Sequence, residues 1–127
     1  MTSLPDLHDG FFDGVWLTPD KGARFFVRTE SGERSTIVLS GVESLKVCGI
    51  RAGNIVFDCV LIAPDRLSLK NIEDAYDLQE DQIERSRRLL TEAQNQGLSG
   101  LELNSSYGAE GTVLFRTIDI VREHVLA

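Results

Sequence analysis

The sequence has 127 residues and a mass of 14.1 kDa, with 42% hydrophobic and 26% charged residues. This composition excludes a disordered tail, and the length predicts one domain over residues 1–127. Thirteen basic and twenty acidic residues give a net charge of -7, which repels phosphate and anionic lipid. We therefore expect no nucleic-acid or membrane partner, and the net charge favours a basic or neutral partner.

The most apolar run of the chain extends only from Ile55 to Ala63 and contains Asp58. It is too short to cross a membrane and predicts a buried strand. The first residues, MTSLPDLHDG, have neither the basic nor the apolar region of a secretory signal, which predicts a cytoplasmic protein.

The segment LHDGFFDGVWL predicts a turn followed by a strand over residues 11–18. His8, Asp9 and Gly10 form the expected turn, and Gly14 indicates a bulge or a close backbone approach. Strict alternation gives two faces: Phe11, Asp13, Val15 and Leu17 on one, and Phe12, Gly14, Trp16 and Thr18 on the other.

The same segment allows a second interpretation. His8, Asp9 and Asp13 carry imidazole and carboxylate groups that suit a divalent metal or acid-base chemistry, with His124 as a further ligand. This alternative is a small metal-dependent hydrolase or another enzyme, whereas the strand interpretation predicts no metal site.

The next two strands form a predicted hairpin around Glu30–Arg34. Centring the hairpin on Gly32 pairs Phe25 with Leu39 and brings two apolar faces together. A sharp turn is expected before it, where Pro19, Asp20 and Gly22 follow the first strand.

Segments 42–50 and 54–63 continue the predicted meander as a hairpin. Cys48 and Cys59 then lie diagonally on one face, too far apart for a disulfide, and are expected to be reduced. Asp58 would be costly if buried alone, so it should meet solvent, a ligand or an arginine, and we expect an ion pair with an arginine such as Arg51 or Arg116. The alternative is a general acid with a raised pKa, for which the spacing assigns no second catalytic group.

Helical periodicity follows the fifth strand. A short helix is expected from Asn71, and a capping box at Asp77 predicts a longer helix over 78–96 that stops at Gly97. Alternation returns after Gly97 and over 112–121. The predicted fold class is α+β, mainly β: an antiparallel β-meander, sandwich or barrel-like sheet of about seven strands, with one short and one long helix inserted before the last strands.

The segment NSSYGAEG, residues 104–111, predicts a polar loop. Small polar residues with a tyrosine and two glycines suit an adaptable binding surface, and they equally suit an ordinary hairpin loop. The candidate binding residues are Asn104, Ser106, Tyr107, Glu110 and Asp58. No nucleotide motif is present, so we expect no cofactor and assign no catalytic residue.

The LHDG turn followed by an apolar strand with an internal glycine resembles the N-terminal signature of small bacterial β-rich proteins of unknown function. The resemblance covers only this first element. It implies a bacterial, β-rich domain and carries no activity.

These observations predict a non-catalytic binding or interaction module whose partner is a protein or a small molecule. A homodimer is also expected, because one long helix cannot cover all the apolar strand residues. The residues expected in the exposed patch are Phe12, Trp16, Phe26, Val38 and Val113.

Overall fold

A computed structural model describes residues 3–123, whose backbone forms one antiparallel sheet of eight strands and two α-helices. The strands are β1 Phe11–Thr18, β2 Gly22–Arg28, β3 Arg34–Ser40, β4 Ser44–Cys48, β5 Asn54–Ile62, β6 Ser99–Tyr107, β7 Glu110–Phe115 and β8 Thr117–Arg122; the helices are α1 Leu69–Tyr76 and α2 Ile83–Asn95. Their order in the open sheet is β4-β7-β6-β5-β1-β2-β3-β8. The predicted mainly β fold, with a short and a long helix before the last strands, is confirmed.

The sheet bends where two strands are each followed, after a very short link, by a second strand that continues the same path. β3 continues into β4 through a bend at Gly41, and β7 continues into β8 across Arg116. β3 pairs with β8 and β4 pairs with β7, so the two bent segments run side by side. Gly41 adopts a φ of 64°, and a Cβ there would lie 2.8 Å from the Arg116 side chain. The bend therefore requires glycine.

The curved sheet encloses the main core. Strands distant in the sheet order contribute to this one cluster, which includes Phe12, Phe25, Ile37, Leu101, Val113 and Phe115. A second cluster lies where α1 covers β4 and β7 and α2 packs against α1; it includes Leu67, Ile72, Ala75, Ala93, Leu98 and Leu114. Within residues 3–123 no helix has the length and apolar character needed to cross a membrane.

A bulge in β1 changes the predicted faces. Phe12 pairs with Val27 and Gly14 pairs with Phe26, so Asp13 is the extra residue. A bulge near Gly14 is thus confirmed, but strict alternation beyond it is wrong. Phe12 and Val15 both pack on the core, whereas Trp16 faces outward and is 53% exposed.

The predicted hairpin of β2 and β3 is confirmed with a different register, and one predicted strand pairing is wrong. β2 and β3 pair two residues out of the predicted register, with Phe25 opposite Ile37, because the loop centres on Ser31. A two-residue shift preserves the faces, so both side chains remain buried. β4 does not pair with β5: Cys48 lies opposite Glu110, and Cys59 lies opposite Leu103. Both thiols are free.

The helices begin differently from the prediction. α1 starts at Leu69, where the Ser68 hydroxyl accepts a hydrogen bond from the Asn71 amide at 3.2 Å. Asp77 does not cap the long helix; it ends α1 in a left-handed conformation with a φ of 56°. A one-turn 3-10 helix precedes α2, and the stop at Gly97 is confirmed by its φ of 70°.

The patch expected for a dimer is only partly exposed. Phe12 and Val113 are each 1% exposed and belong to the core, so their assignment to the patch is wrong. Trp16 and Phe26 are exposed and Val38 is half-buried. The homodimer itself stays a prediction.

Candidate functional site

The predicted loop at residues 104–111 is mostly strand. β6 continues to Tyr107 and β7 begins at Glu110, so only Gly108 and Ala109 connect them. The candidate residues are therefore divided between two surfaces. Asn104 and Glu110 line a groove beside α1, whereas Tyr107 lies on the row of Ile55 and Phe11, away from that groove.

The groove beside α1 has a volume of about 270 Å³, and both of its lysines are paired with carboxylates. Lys46 Nζ lies 2.6 Å from Asp77 Oδ1, and Lys70 Nζ lies 3.0 Å from Asp74 Oδ2. These hydrogen bonds raise the pKa of both lysines, so their ammonium groups stay protonated and paired.

Asp58 lies next to this groove without the expected arginine. Its Oδ1 accepts a hydrogen bond of 2.7 Å from the Asn104 side chain. Arg51 and Arg116 contact other groups, so the expected ion pair is wrong. Burial, with a smaller effect of Asp58, raises the pKa of the adjacent Cys59 thiol to about 12, which makes this thiol a poor nucleophile.

His8, Asp9 and Asp13 do not converge. His8 Nδ1 lies 2.8 Å from the Phe57 carbonyl oxygen, and its Nε2 lies 3.5 Å from Asp9. The bond to that carbonyl, and secondarily Asp9, raises the pKa of His8. Asp13 instead accepts two hydrogen bonds from Arg28, at 2.7 and 2.9 Å.

The described part of the chain contains no cluster of side chains suited to binding a metal ion. Within residues 3–123 no group of three or more His, Cys, Asp or Glu side chains could hold a metal ion. The proposed extra ligand, His124, lies outside the described residues.

The outer face of β1, β2 and β3 carries three rows of cross-strand neighbours, which we call the arginine–aromatic face. Residues directly opposite in adjacent antiparallel strands point to the same side of a sheet. The rows are Tyr107, Ile55, Phe11, Arg28 and Arg34; Gly14, Phe26, Thr36 and Val121; and Trp16, Arg24, Val38 and Asp119.

Each of three aromatic rings on this face has an arginine over it. The guanidinium carbon lies 4.5 Å from the ring centroid of Phe11 for Arg28, and 5.3 Å from that of Trp16 for Arg24. Arg51 lies 5.5 Å from the Tyr107 ring. All three distances are in the range of favourable cation–π contacts.

The face combines exposed apolar groups with shallow depressions. Trp16 is 53% exposed, Tyr107 52% and Phe26 36%. A depression of about 440 Å³ borders Trp16 and Arg24, and another of about 410 Å³ borders Phe26 and Arg28. Gly14 lies opposite Phe26, and a Cβ at this position would have no other atom within 4 Å. An apolar surface of this kind suits contact with another molecule.

Asn54 fixes one end of the face from beneath. Its side-chain oxygen accepts hydrogen bonds from the amides of Arg51 and Ala109, at 2.8 and 3.0 Å. Its side-chain nitrogen donates to the carbonyls of Phe12 and Arg51, at 3.1 and 2.8 Å. The buried amide thereby holds the loop that carries Arg51 next to Tyr107.

Sequence reasoning missed Arg24, Arg28 and Arg51 as members of the site. The alternation Arg24-Phe26-Arg28 in β2 was a usable signal, because these three residues must share one face. Their aromatic neighbours come from β1 and β6, which no local pattern identifies.

Comparisons with protein families, with curated proteins and with solved structures found no significant match. The resemblance of the LHDG segment to small bacterial β-rich proteins stays a prediction.

Proposed function

We propose that this chain is a non-catalytic binding module that recognises a protein partner through its arginine–aromatic face. One observation carries the proposal: Trp16, Phe26 and Tyr107 are exposed on a single rigid sheet surface among arginines. Tryptophan, tyrosine and arginine are the side chains most enriched among residues that dominate protein interfaces.

A sheet surface also suits this role energetically. Phe26 is paired on both sides, and Trp16 and Tyr107 are each paired on one side, so little backbone entropy is lost when a partner binds. The arginines over Phe11 and Trp16 are already restrained by ring contacts, and Arg28 is further held by Asp13. The contact surface is therefore largely organised before binding.

The other two surfaces support binding less well. The groove beside α1 has its lysines paired with Asp74 and Asp77. The hydrolase alternative needs Asp13 close to His8, but Asp13 is engaged by Arg28.

We further propose a reducing compartment such as the cytoplasm, because Cys48 and Cys59 are unpaired thiols.

Matched bait proteins test the proposal. Trp16→Asp should abolish capture of the partner from a lysate of the source organism, because a charge replaces an apolar anchor. Leu17→Asp is the control: Leu17 is 60% exposed but lies opposite Ala23, on the inner side of the sheet. Circular dichroism and Tm should show that both variants remain folded.

The informative result is a protein retained by the unaltered chain and by Leu17→Asp and lost with Trp16→Asp. The proposal is contradicted when no captured protein depends on Trp16, or when both variants lose the same proteins.

A further inference from the structure

The groove beside α1 holds more carboxylates than its two lysines neutralise. Both lysines are already paired, with Asp74 and Asp77. Glu102 of β6 and Glu110 of β7 also line the groove, and neither forms an ion pair among residues 3–123. Asp58 lies beside the groove through its hydrogen bond with a lining side chain. Five carboxylates against two lysines leave an excess of three negative charges.

Thr112 lies at the floor of this groove. It is directly opposite Glu102 on one side and Lys46 on the other, so these three side chains point the same way. Both neighbours are tied to α1. Asn71 of α1 donates a hydrogen bond of 3.3 Å to Glu102 Oε2, and Asp77 at the end of α1 pairs with Lys46.

The Thr112 hydroxyl is the feature that indicates a ligand. Thr112 is only 3% exposed, and its hydroxyl has no hydrogen-bond partner among residues 3–123. Every fully enclosed side-chain oxygen or nitrogen in this part of the chain has a partner, so the Thr112 oxygen must open into the groove that the residue lines. An unpaired and almost enclosed hydroxyl is stabilised when a polar group enters and bonds to it.

We propose that this groove binds a primary ammonium group, which either a free aliphatic diamine or a lysine side chain of another protein can supply. An ammonium group has three N–H donors and no acceptor. The groove offers acceptors from β6 and β7: the carboxylates of Glu102 and Glu110, the Thr112 hydroxyl and the side-chain oxygen of Asn104. The side-chain nitrogen of Asn104 already donates to Asp58, which leaves its oxygen for the ligand.

Other ligands fit the groove less well. A calcium ion takes six to eight oxygen ligands, and residues 3–123 contain no group of three or more His, Cys, Asp or Glu side chains that could hold a metal. The excess of negative charge repels phosphate and other anions. The volume of about 270 Å³ is below the roughly 300–1,000 Å³ of sites for drug-sized ligands, which favours a short aliphatic chain.

Amide NMR spectra of the full chain, titrated with pentane-1,5-diamine at neutral pH, test the inference. The matched probe is the same chain with a trimethylammonium group at each end, which keeps both charges but has no N–H donor. The diamine should shift resonances of α1, β6 and β7 and bind at least about tenfold more tightly than the methylated probe.

Glu102→Gln with Glu110→Gln should weaken diamine binding by at least about tenfold, because two charged acceptors are lost. Glu30→Gln with Glu33→Gln is the matched control. It makes the same change of net charge in the loop between β2 and β3, where both side chains are exposed. The control should leave binding within about twofold.

A single hydroxyl provides the second comparison. Thr112→Val should weaken diamine binding by about threefold, because one hydrogen bond to the ammonium group is lost. Thr117→Val, at an exposed position of β8, should leave binding unchanged. Circular dichroism and Tm should show that all variants remain folded.

A lysine derivative with both backbone ends blocked distinguishes the two sources of the ammonium group. Binding at least as tight as that of the diamine assigns the groove to a protein lysine, and weaker binding assigns it to a free diamine. Equal binding of the diamine and its methylated probe, displacement of the diamine by equimolar calcium, or equal effects of the two double variants would overturn the inference.

The groove and the arginine–aromatic face are separate sites, so the two proposals fail independently. Trp16→Asp should leave diamine binding unchanged. A diamine that fails to bind, together with a captured partner that depends on Trp16, removes the ammonium site and preserves the proposed function.

Discussion

Arginines that lie over aromatic rings give the face both its cationic groups and its order. Each exposed cation–π contact contributes about 0.5–1 kcal/mol, which is enough to favour one side-chain conformation without fixing it. Arg28 is the most constrained, because it contacts the Phe11 ring and makes two hydrogen bonds to Asp13. Arg24 has the ring contact with Trp16 alone and can turn toward a partner.

Asn54 is the residue on which the local geometry depends most. Asn54→Ala removes a buried side chain that makes four hydrogen bonds. The amide of Ala109 and the carbonyl of Phe12 then lose their hydrogen bonds to this side chain. We expect the free energy of unfolding to fall by about 2–3 kcal/mol. Urea denaturation of the variant measures this loss.

Asn95→Ala serves as its control, because Asn95 is exposed at the last residue of α2. It should change the free energy of unfolding by less than about 0.5 kcal/mol. A loss of that small size for Asn54→Ala as well would contradict the structural role assigned to Asn54.

At the scale of elements, the β1 bulge shows what the sequence can and cannot predict. Gly14 indicated a bulge, and the structure has one. Strict alternation nevertheless placed Phe12 and Trp16 on one face, because the sequence does not show which residue is extra. Asp13 takes that position beside Arg28, a residue of β2. The outward direction of Trp16 follows from this bulge.

The pairing of β4 shows a second limit. Consecutive strands usually pair, which favoured a hairpin between residues 42–50 and 54–63. Here β4 prolongs β3 beyond the bend at Gly41 and pairs with β7. No local pattern in β4 distinguishes these partners, so the sequence predicted its existence but not its neighbour.

The start of α1 provides a test at this scale. Ser68→Ala removes the capping hydroxyl and should lower the free energy of unfolding by about 1 kcal/mol. Ser106→Ala is the control, since Ser106 is exposed in β6. Thermal and urea denaturation should separate the two variants, and equal losses would contradict the role of the cap.

Across the whole molecule, the topology separates the charges. Acidic α1 covers β4 and β7, while the arginines of β2 and β3 remain uncovered on the outer face. The fold class was predictable because it follows from periodicity along the chain. The candidate site was not, because Tyr107, Phe11 and Arg28 come from three separate strands.

Hydroxyl-radical footprinting of the chain, free and bound to the partner captured through Trp16, tests the central claim most directly. The method reports the solvent exposure of individual side chains. Trp16, Phe26 and Tyr107 should be oxidised in the free chain and protected in the complex, because all three are exposed on the arginine–aromatic face. Leu17 on the inner side of β1 and the partly exposed Tyr76 of α1 should remain unchanged. Protection of Leu17 or Tyr76 with Trp16, Phe26 and Tyr107 still oxidised would contradict the account.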